Sequence, residues 1–435
     1  MSRGRLLIGF LLALPPWAGA QTPDQATREL IEKLLARIDR LETRVAQLEN
    51  PGVSVVPAAP AAPAAAAAPA QAAHAAHDTA PTADFGQPVY PSLKIAGFSD
   101  FNFSATDLHG PSGGFGTQTL LGAHSGFQEG QFALHLSSAL SPRVGVFGEI
   151  SMTARADAGT GTPAATGFNA EVERLIIRYD LHDYFKVSFG RYHTPINYWN
   201  TAFHHGQWLQ TTASRPEMTQ FGGSFIPVHF IGTLVEGSVP AGGMNLNYNF
   251  GLGNGRGQVI SRGGDIGDIN NNRAWLVNAF IKPDHPYGLQ IGGSVYRDSI
   301  NTLTGLTARE WIQSAHIAWQ KETPEVIAEF ANVTHQPGSG TGASNVASNS
   351  QAFYVQTAYR LPWGQKLWKP YYRFEYMHIP FSDVIFRAVP SFVGSTAGMR
   401  YDISSFAAFK LEYRNYSRRN LPSINGVFLQ TSFTF

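Results

Sequence analysis

The feature that most constrains this chain is a run of short segments, from residue 93 to residue 435, in which apolar and polar residues alternate between turn-forming residues. Successive side chains of a β-strand point to opposite faces, so each segment predicts a strand with one apolar and one polar face. We count sixteen such segments, with approximate cores at 93–104, 127–139, 142–155, 170–180, 184–193, 228–238, 243–252, 273–282, 287–298, 309–321, 325–335, 351–361, 367–379, 391–401, 404–416 and 426–435. This even number predicts an all-β fold, an antiparallel transmembrane β-barrel.

The connections between these segments alternate between short and long, as they do in barrels of bacterial outer membranes. The short connections lie at 140–141, 181–183, 239–242, 283–286, 322–324, 362–366 and 402–403. The long connections, which are rich in Gly, Asn, Ser and Thr, lie at 105–126, 156–169, 194–227, 253–272, 299–308, 336–350, 380–390 and 417–425. Short turns of such barrels face the periplasm. With an even number of strands, the first and the last residue of the barrel are therefore both predicted to lie on the periplasmic side.

Where the alternation is clearest, it also predicts which charged side chains face the barrel lumen. In the thirteenth segment Arg373 and Glu375 alternate with Tyr372 and Tyr376, which puts charges on one face and aromatic rings on the other. The charged residues predicted to face the lumen are Arg155, Arg373, Arg400, Lys410 and Arg414, together with Glu149, Glu375 and Glu412. Basic residues slightly outnumber acidic ones, which favours a weak anion preference. A one-residue shift in the phase of a strand would reverse its contribution.

Residues 1–20 have the pattern of a secretory signal peptide. Arg3 and Arg5 precede an apolar run at 6–14, and Ala18-Gly19-Ala20 form a small-residue cleavage site. The apolar run is too short for a membrane helix. The chain has no cysteine, which excludes a disulfide framework and a lipidated N-terminal cysteine. We therefore predict export of a chain whose membrane spans are strands.

Residues 21–50 are predicted to form a short periplasmic coiled coil, and residues 51–92 an Ala/Pro-rich linker. The apolar seam of the coiled coil consists of Ile31, Leu34, Ile38, Leu41, Val45 and Leu48. The order of β-branched residues and leucine along this seam favours a dimer. Two Arg-apolar-x-x-apolar-Glu stretches, beginning at Arg37 and Arg44, instead resemble the signature of short trimeric coiled coils. We predict a homotrimer, with a dimer or a solitary amphipathic helix as alternatives.

The longest connection, residues 194–227, is unusually apolar for a solvent-exposed loop because it carries two tryptophans, a tyrosine and several phenylalanines. We predict that it folds into the lumen and forms a constriction. The candidate constriction residues are Asn197, Tyr198, Trp199, His204, His205, Arg215 and Glu217. The alternative is that the aromatic residues only pin the loop to the barrel wall. No metal site is predicted here, because His193, His204 and His205 lack a spaced carboxylate ligand in the sequence.

The plan of signal peptide, coiled coil, linker and sixteen strands resembles the phosphate-selective porin (O/P) family over nearly the whole mature chain. The stretch Phe189-Gly190-Arg191-Tyr192-His193-Thr194-Pro195, leading into Tyr198-Trp199, is similar to the passage from strand to constriction loop in such porins. The resemblance implies trimeric, anion-passing channels with a constriction made by the third external loop. That family uses clusters of arginine and lysine at the constriction, whereas residues 194–227 hold Arg215 and no lysine.

These patterns predict a porin, because sixteen strands leave an aqueous channel. The predicted function is passive diffusion of small hydrophilic or anionic solutes across the bacterial outer membrane, with the N-terminal segment in the periplasm. Outer-membrane lipid and further copies of the chain are the predicted partners. The alternative is a structural protein that tethers the outer membrane to the cell wall through its coiled coil. The sequence motifs predict no enzyme activity, cofactor, metal or nucleic-acid partner.

Overall fold

The computed structural model describes residues 90–108, 125–154, 168–203, 206–220, 225–338, 346–387 and 389–435. These residues form sixteen strands and three short helical turns, Trp199–Ala202, Glu217–Thr219 and Gly364–Lys366. The strands are β1 (Ser92–Thr106), β2 (Gly126–Ser141), β3 (Val144–Ala154), β4 (Phe168–His182), β5 (Phe185–His193), β6 (His229–Val239), β7 (Leu246–Asn254), β8 (Ala274–Ile281), β9 (Leu289–Asn301), β10 (Thr307–Gln320), β11 (Glu325–Pro337), β12 (Ser348–Ala358), β13 (Trp368–His378), β14 (Phe392–Ser404), β15 (Ala407–Arg418) and β16 (Leu421–Thr434).

Each strand pairs with its neighbours in the sequence, and β1 pairs with β16 to close the barrel. The closing pair is antiparallel and in register from Phe98 opposite Thr434 to Thr106 opposite Gly426. Its end is fastened by hydrogen bonds between the backbones of Gly97 and Phe435, of 2.9 and 3.0 Å. Closure leaves no unpaired edge, so every strand has a hydrogen-bonding neighbour on both sides. The predicted sixteen-stranded antiparallel barrel is confirmed.

Alternation of apolar and polar residues becomes alternation between the outer and inner faces of the barrel. In β15, Phe409, Leu411 and Tyr413 are 51, 47 and 52% exposed on the outer face, whereas Lys410 and Glu412 are buried inside. The last strand likewise exposes Val427 and Leu429, and Phe435, which directly follows it, is exposed too. The outer face of these strands is therefore apolar and the inner face polar, as the period of two requires.

The connections define two ends of the barrel, a turn end with short connections and a loop end with long ones. Two predicted long loops are shorter than expected. Strands β15 and β16 keep pairing as far as Arg418 and Leu421, with Asn420 in the left-handed region at φ 62, so the predicted 417–425 loop shrinks to residues 419–420. Likewise β9 and β10 pair to Asn301 and Thr307, which leaves 302–306 rather than 299–308.

The interior of the barrel is filled at the loop end by connections that turn inward. Buried apolar side chains come from residues 194–228 and from residues 379–391, and they pack against the inner faces of the strands. No helix in the described part of the chain is long and apolar enough to cross a membrane. The predicted signal peptide, coiled coil and linker up to residue 89 lie outside the described residues.

Candidate functional site: the divided barrel lumen

The described residues of the connection between β5 and β6, which are 194–203, 206–220 and 225–228, lie inside the barrel, and we call this connection the inner loop. Its described residues are almost all buried, with Ile196, Trp199 and Thr212 at 0% exposure. Trp199 packs edge-on against Tyr354 of β12, with ring centroids 6.0 Å apart. Of the predicted constriction residues in this loop, Asn197, Tyr198, Trp199, Arg215 and Glu217 are described, and His204 and His205 lie outside the described residues.

A carboxylate of β11 fixes the first turn of the inner loop. One oxygen of Glu329 accepts hydrogen bonds from the backbone N–H groups of Tyr198, at 2.8 Å, and Trp199, at 2.6 Å. The backbone N–H of Asn197 donates to the hydroxyl of Ser294 in β9 at 3.2 Å. Asn197 itself is in the left-handed region, at φ 62, a conformation that asparagine tolerates better than most residues. These contacts direct the chain from the end of β5 across the lumen.

Arg373 of β13 holds the middle of the inner loop. Its guanidinium donates to the hydroxyl of Thr212 at 3.1 Å, to the carbonyl of Ser214 at 2.8 Å and to the carbonyl of Arg215 at 3.2 Å. It also binds Glu375 at 2.8 Å, and this carboxylate accepts the backbone N–H of Glu217 at 2.5 Å. The predicted lumen pair Arg373 and Glu375 thus binds loop backbone.

Charges of β14 and β15 hold the same loop further along the wall. Arg400 donates to the carbonyls of Trp208, at 2.7 Å, and Gln210, at 3.0 Å. Lys410 donates to the carbonyls of Gln207 and, at 3.1 Å, Thr212. The backbone N–H groups of Ala213 and Ser214 donate to Glu412 at 2.6 and 3.1 Å, and Arg414 binds the other Glu412 oxygen at 2.8 Å. We call the inner face of β11–β16 the covered wall.

The described charged residues that were predicted to face the lumen are buried under the inner loop or within the wall. Arg373, Arg400, Lys410 and Arg414 are between 0 and 6% exposed. Glu375 and Glu412 are equally buried, and so is Glu149 of β3. Arg155 lies outside the described residues. On the covered wall, Arg373, Glu375, Arg400, Lys410 and Glu412 bind loop backbone, and Arg414 binds Glu412, while Glu149 binds His135 and Arg174. The anion preference inferred from these charges stays a prediction.

Arg215 and Glu217 of the inner loop are themselves buried, at 6 and 5% exposure. Burial lowers the pKa of Arg215 to about 9, and the negative charge of Glu173 opposes that shift. Neither residue is available to line an open constriction ring in this arrangement. The described part of the loop is packed against the covered wall, and polar side chains of that wall bind its backbone.

Opposite the covered wall, β4–β9 leave space, and we call their inner face the open wall. A cavity of about 710 Å³ lies between this wall and the Tyr198, Ala202 and Leu209 side of the inner loop, and it reaches the turn end of the barrel. Its charged lining residues are Arg174, Arg178, Lys186, Lys282, Asp183, Glu236 and Asp284. Arg178 forms ion pairs with Asp180 at 2.7 Å and with Glu236 at 3.7 Å. These residues, which the sequence analysis did not select, are the charges that face the space.

A second inward loop, residues 379–391 between β13 and β14, fills part of the loop end. The Asp383 carboxylate binds His335 at 2.9 Å, accepts the hydroxyl of Ser350 at 2.9 Å and accepts the backbone N–H groups of Ile385 and Phe386 at 3.0 Å. Burial by itself would raise the pKa of Asp383, but hydrogen bonding to His335 and its charge hold that pKa below its usual range. We call this residue the latch of the second loop.

The second loop meets the inner loop through aromatic packing. Phe386 stacks on Phe225 with ring centroids 5.5 Å apart. Arg256, from the connection between β7 and β8, donates to the Phe225 carbonyl at 3.1 Å and binds Glu310 of β10 at 3.0 Å. The inward fold of this loop was not predicted from the sequence, although its run Val384-Ile385-Phe386 has the same apolar character that identified the inner loop.

Solved structures with a similar fold include the following three proteins. An anion-selective porin from Comamonas acidovorans is 10% identical with a TM-score of 0.55, and the match covers 79% of this chain and 100% of that one. The outer membrane channel DcaP of Acinetobacter baumannii is 13% identical with a TM-score of 0.52, over 81 and 100% of the two chains. Salmonella typhi OmpF, in a complex with daunomycin, is 11% identical with a TM-score of 0.51, over 79 and 97%.

At these identities the likeness shows the fold, a porin-like closed barrel. No protein-family model matches the chain. No curated protein matches it either. The resemblance to the phosphate-selective porin family therefore stays a prediction, while the sixteen-stranded porin fold is shown.

Proposed function

We propose that the protein is an outer-membrane porin for passive diffusion of small hydrophilic solutes. The observation that carries this proposal is a closed barrel with an apolar outer face whose lumen keeps a cavity of about 710 Å³, lined in part by charged side chains, beside the inner loop. An apolar band outside and a polar interior suit a barrel that spans lipid and encloses water. The fold shared with channels from three other bacteria supports the same function.

The inner loop makes this a narrow pore rather than a wide one. A sixteen-stranded barrel is wide enough for an open aqueous channel, but here the covered wall is packed against loop backbone. Solutes would pass along the open wall. The proposed exclusion limit is therefore small, in the range of monosaccharides and small ions.

We also propose a weak anion preference, carried by different residues from those the sequence singled out. Along the open wall, Arg174, Arg178, Lys186 and Lys282 stand against Asp183, Glu236 and Asp284. Selectivity depends on charges that permeating ions approach closely. Four of these residues are basic and three are acidic, but Arg174 and Arg178 form ion pairs with Glu149 and Asp180. The proposed preference therefore rests on Lys186 and Lys282 and would be modest.

The homotrimer and the periplasmic coiled coil belong to the same proposal and rest on the sequence pattern of residues 21–50. Chemical cross-linking of the folded full-length protein in detergent tests the trimer. A band at three chain masses is expected, and the same band should weaken after deletion of residues 21–84. A band at two chain masses would favour the dimer.

Liposome swelling with sugars of increasing size tests the pore itself. We expect rapid swelling in a monosaccharide and slow or no swelling in a trisaccharide. Protein that inserts, folds and gives no swelling in any solute would contradict the porin proposal. The structural tether would then lead, and deletion of residues 21–84 should abolish its attachment to the cell wall while leaving the barrel folded.

A further inference from the structure

Three buried side chains on neighbouring strands meet at the edge of the cavity. They are Glu173 of β4, His193 of β5 and His229 of β6, and one ligand atom from each lies within 4.8 Å of the other two. The closest pair is the Nε2 atom of His229 and a carboxylate oxygen of Glu173, 2.6 Å apart. His193 also lines the cavity. The group therefore combines imidazole and carboxylate ligands with a path to solvent.

Strand register brings these residues together. His193 and His229 are directly opposite each other in the β5–β6 pair. Between β3 and β4 the register slips, because Glu149 pairs with Arg174 whereas Ile150 pairs with Val172, which leaves Glu173 as the extra residue of a β-bulge. A bulge re-aims side chains and often lies beside functional sites.

The bulge explains why Glu173 points inward at all. Val172 and Leu175 are 52 and 57% exposed on the outer face, and the two residues between them, Glu173 and Arg174, are both buried in the lumen. A regular strand could place only one of two consecutive residues inside. Strand β4 thus departs from regular strand geometry at Glu173, the residue that completes the cluster.

We propose that Glu173, His193 and His229 bind one divalent transition-metal ion, with Zn²⁺ as the reference ion. Two imidazoles and one carboxylate are a ligand set that zinc accepts, with bonds of about 2.0–2.2 Å and therefore ligand atoms about 3.4 Å apart in a tetrahedron. The Glu173–His229 separation is 2.6 Å and all three ligand atoms lie within 4.8 Å of one another, so shifts of about 1 Å bring the side chains to that spacing. Water from the cavity would occupy the fourth position of the tetrahedron.

The charges around the cluster set how tightly the ion is held. Arg191 lies 3.1 Å from Nδ1 of His229 and 3.7 Å from Glu173, and Arg215 interacts electrostatically with Glu173. Glu149 lies 3.5 Å from Nε2 of His193 and adds negative charge.

Binding requires one rearrangement of the hydrogen bonds. With Arg191 donating to Nδ1 of His229, the ring carries its proton on Nε2 and donates it to Glu173. For Nε2 to bind metal, the proton moves to Nδ1 and Arg191 gives up that contact. Arg191 keeps its ion pairs with Glu171 at 2.9 Å and Asp265 at 2.8 Å. This competition limits the affinity to the micromolar range and disfavours Ca²⁺ and Mg²⁺, which prefer all-oxygen sites.

Metal titration of the folded, full-length protein in detergent tests the site without any reference to conduction. After treatment with a chelator, Zn²⁺ binding is followed by calorimetry and Co²⁺ binding by visible absorption. We expect one Zn²⁺ per chain in the micromolar range and the intense absorption of tetrahedral Co²⁺. Glu173→Gln and His229→Gln should each weaken binding at least tenfold. His316→Gln, which removes a buried lumen-side histidine of β10 outside the cluster, should leave it unchanged.

Two further controls test two pairs of histidines that lie outside the cluster. The double variants His204→Gln/His205→Gln and His74→Gln/His77→Gln should bind as the wild type does. Loss of binding in either would overturn the proposal, and so would octahedral Co²⁺ spectra or equal affinities in wild type and Glu173→Gln. If His229→Gln fails to fold, the near-isosteric Glu173→Gln and the wild-type Co²⁺ spectrum still decide the question.

Discussion

The covered wall and the open wall of the same barrel carry similar lumen-side charges and use them differently. On the covered wall, Arg373, Arg400 and Lys410 bind the backbone of the inner loop and are buried. On the open wall, Lys186 and Lys282 line the cavity. Under the proposed function, an inward-pointing charge therefore influences ions only where no loop covers it.

The physical reason is that a buried charge must be compensated. Taking a guanidinium out of water costs several kcal/mol, and ion pairs and hydrogen bonds must offset that cost. Loop carbonyls and carboxylates do so on the covered wall, which makes its charges part of the packing. Lys186 and Lys282 of the open wall stay partly exposed, and under the proposed function they act on passing ions through the lumen.

The largest expected effect is on stability, from Arg373→Met on the covered wall. The change removes several bonds to the inner loop and leaves Glu375 buried beside a neutral side chain. Breaking a buried pair in this way costs about 3–5 kcal/mol. Unfolding of the barrel in urea, followed by the loss of heat-modifiable migration on gels, measures the change.

Lys186→Met on the open wall is the matched control for that variant. It removes one basic residue that lines the cavity, so unfolding should shift by less than about 1 kcal/mol. If Arg373→Met and Lys186→Met destabilised the barrel equally, charges of the two walls would not differ in their contribution to stability.

A smaller effect is expected from Asp383→Asn in the second inward loop. Asparagine can still accept the backbone N–H groups of Ile385 and Phe386, but it loses the charged interaction with His335. Hydrogen bonds to charged groups contribute about 1.5–3 kcal/mol. The loop should open locally, and proteolytic cleavage within residues 380–391 should become faster. Cleavage at the wild-type rate would show that packing of Phe386 alone holds the loop.

The interactions of Asp383 also make the stability of the second inward loop depend on pH. Because the pKa of Asp383 is lowered in the folded protein, its contribution is present above the ordinary carboxyl pKa of about 3.9 and is lost as the pH falls through the lower folded pKa. Proteolysis of the loop with an acid-tolerant protease should stay slow between about pH 7 and 5 and rise only below about pH 4. An increase that is already complete at pH 5 would mean that another group controls the loop.

The fold was predictable from the sequence because strand periodicity is a local property. Alternation in stretches such as Phe409 to Tyr413 is fixed by the period of two, so all sixteen strands could be located. The 417–425 loop was mispredicted because polar residues such as Ser417 and Asn420 resemble a loop although the hairpin pairing continues almost to the turn.

The division of the lumen was predictable only in part. The aromatic residues of 194–227 indicated inward folding, but the partners of Arg373 are Ser214 and Arg215, 159 and 158 positions away in the sequence. No periodicity reports such contacts. The bulge at Glu173 was equally hidden, because it depends on how β3 and β4 pair.

The smallest expected effect is on ion selectivity, and it tests most directly the claim that only charges of the open wall act on permeating ions. Reversal potential in a salt gradient across a planar bilayer is measured for wild type, for Lys186→Gln/Lys282→Gln on the open wall and for Arg414→Met on the covered wall. The account predicts stepwise conductance in all three and a shift toward cations only in the open-wall variant. Arg414, 1% exposed and bound to Glu412, should leave the potential unchanged if the barrel remains folded. A shift caused by Arg414→Met, with none from the open-wall pair, would contradict the account.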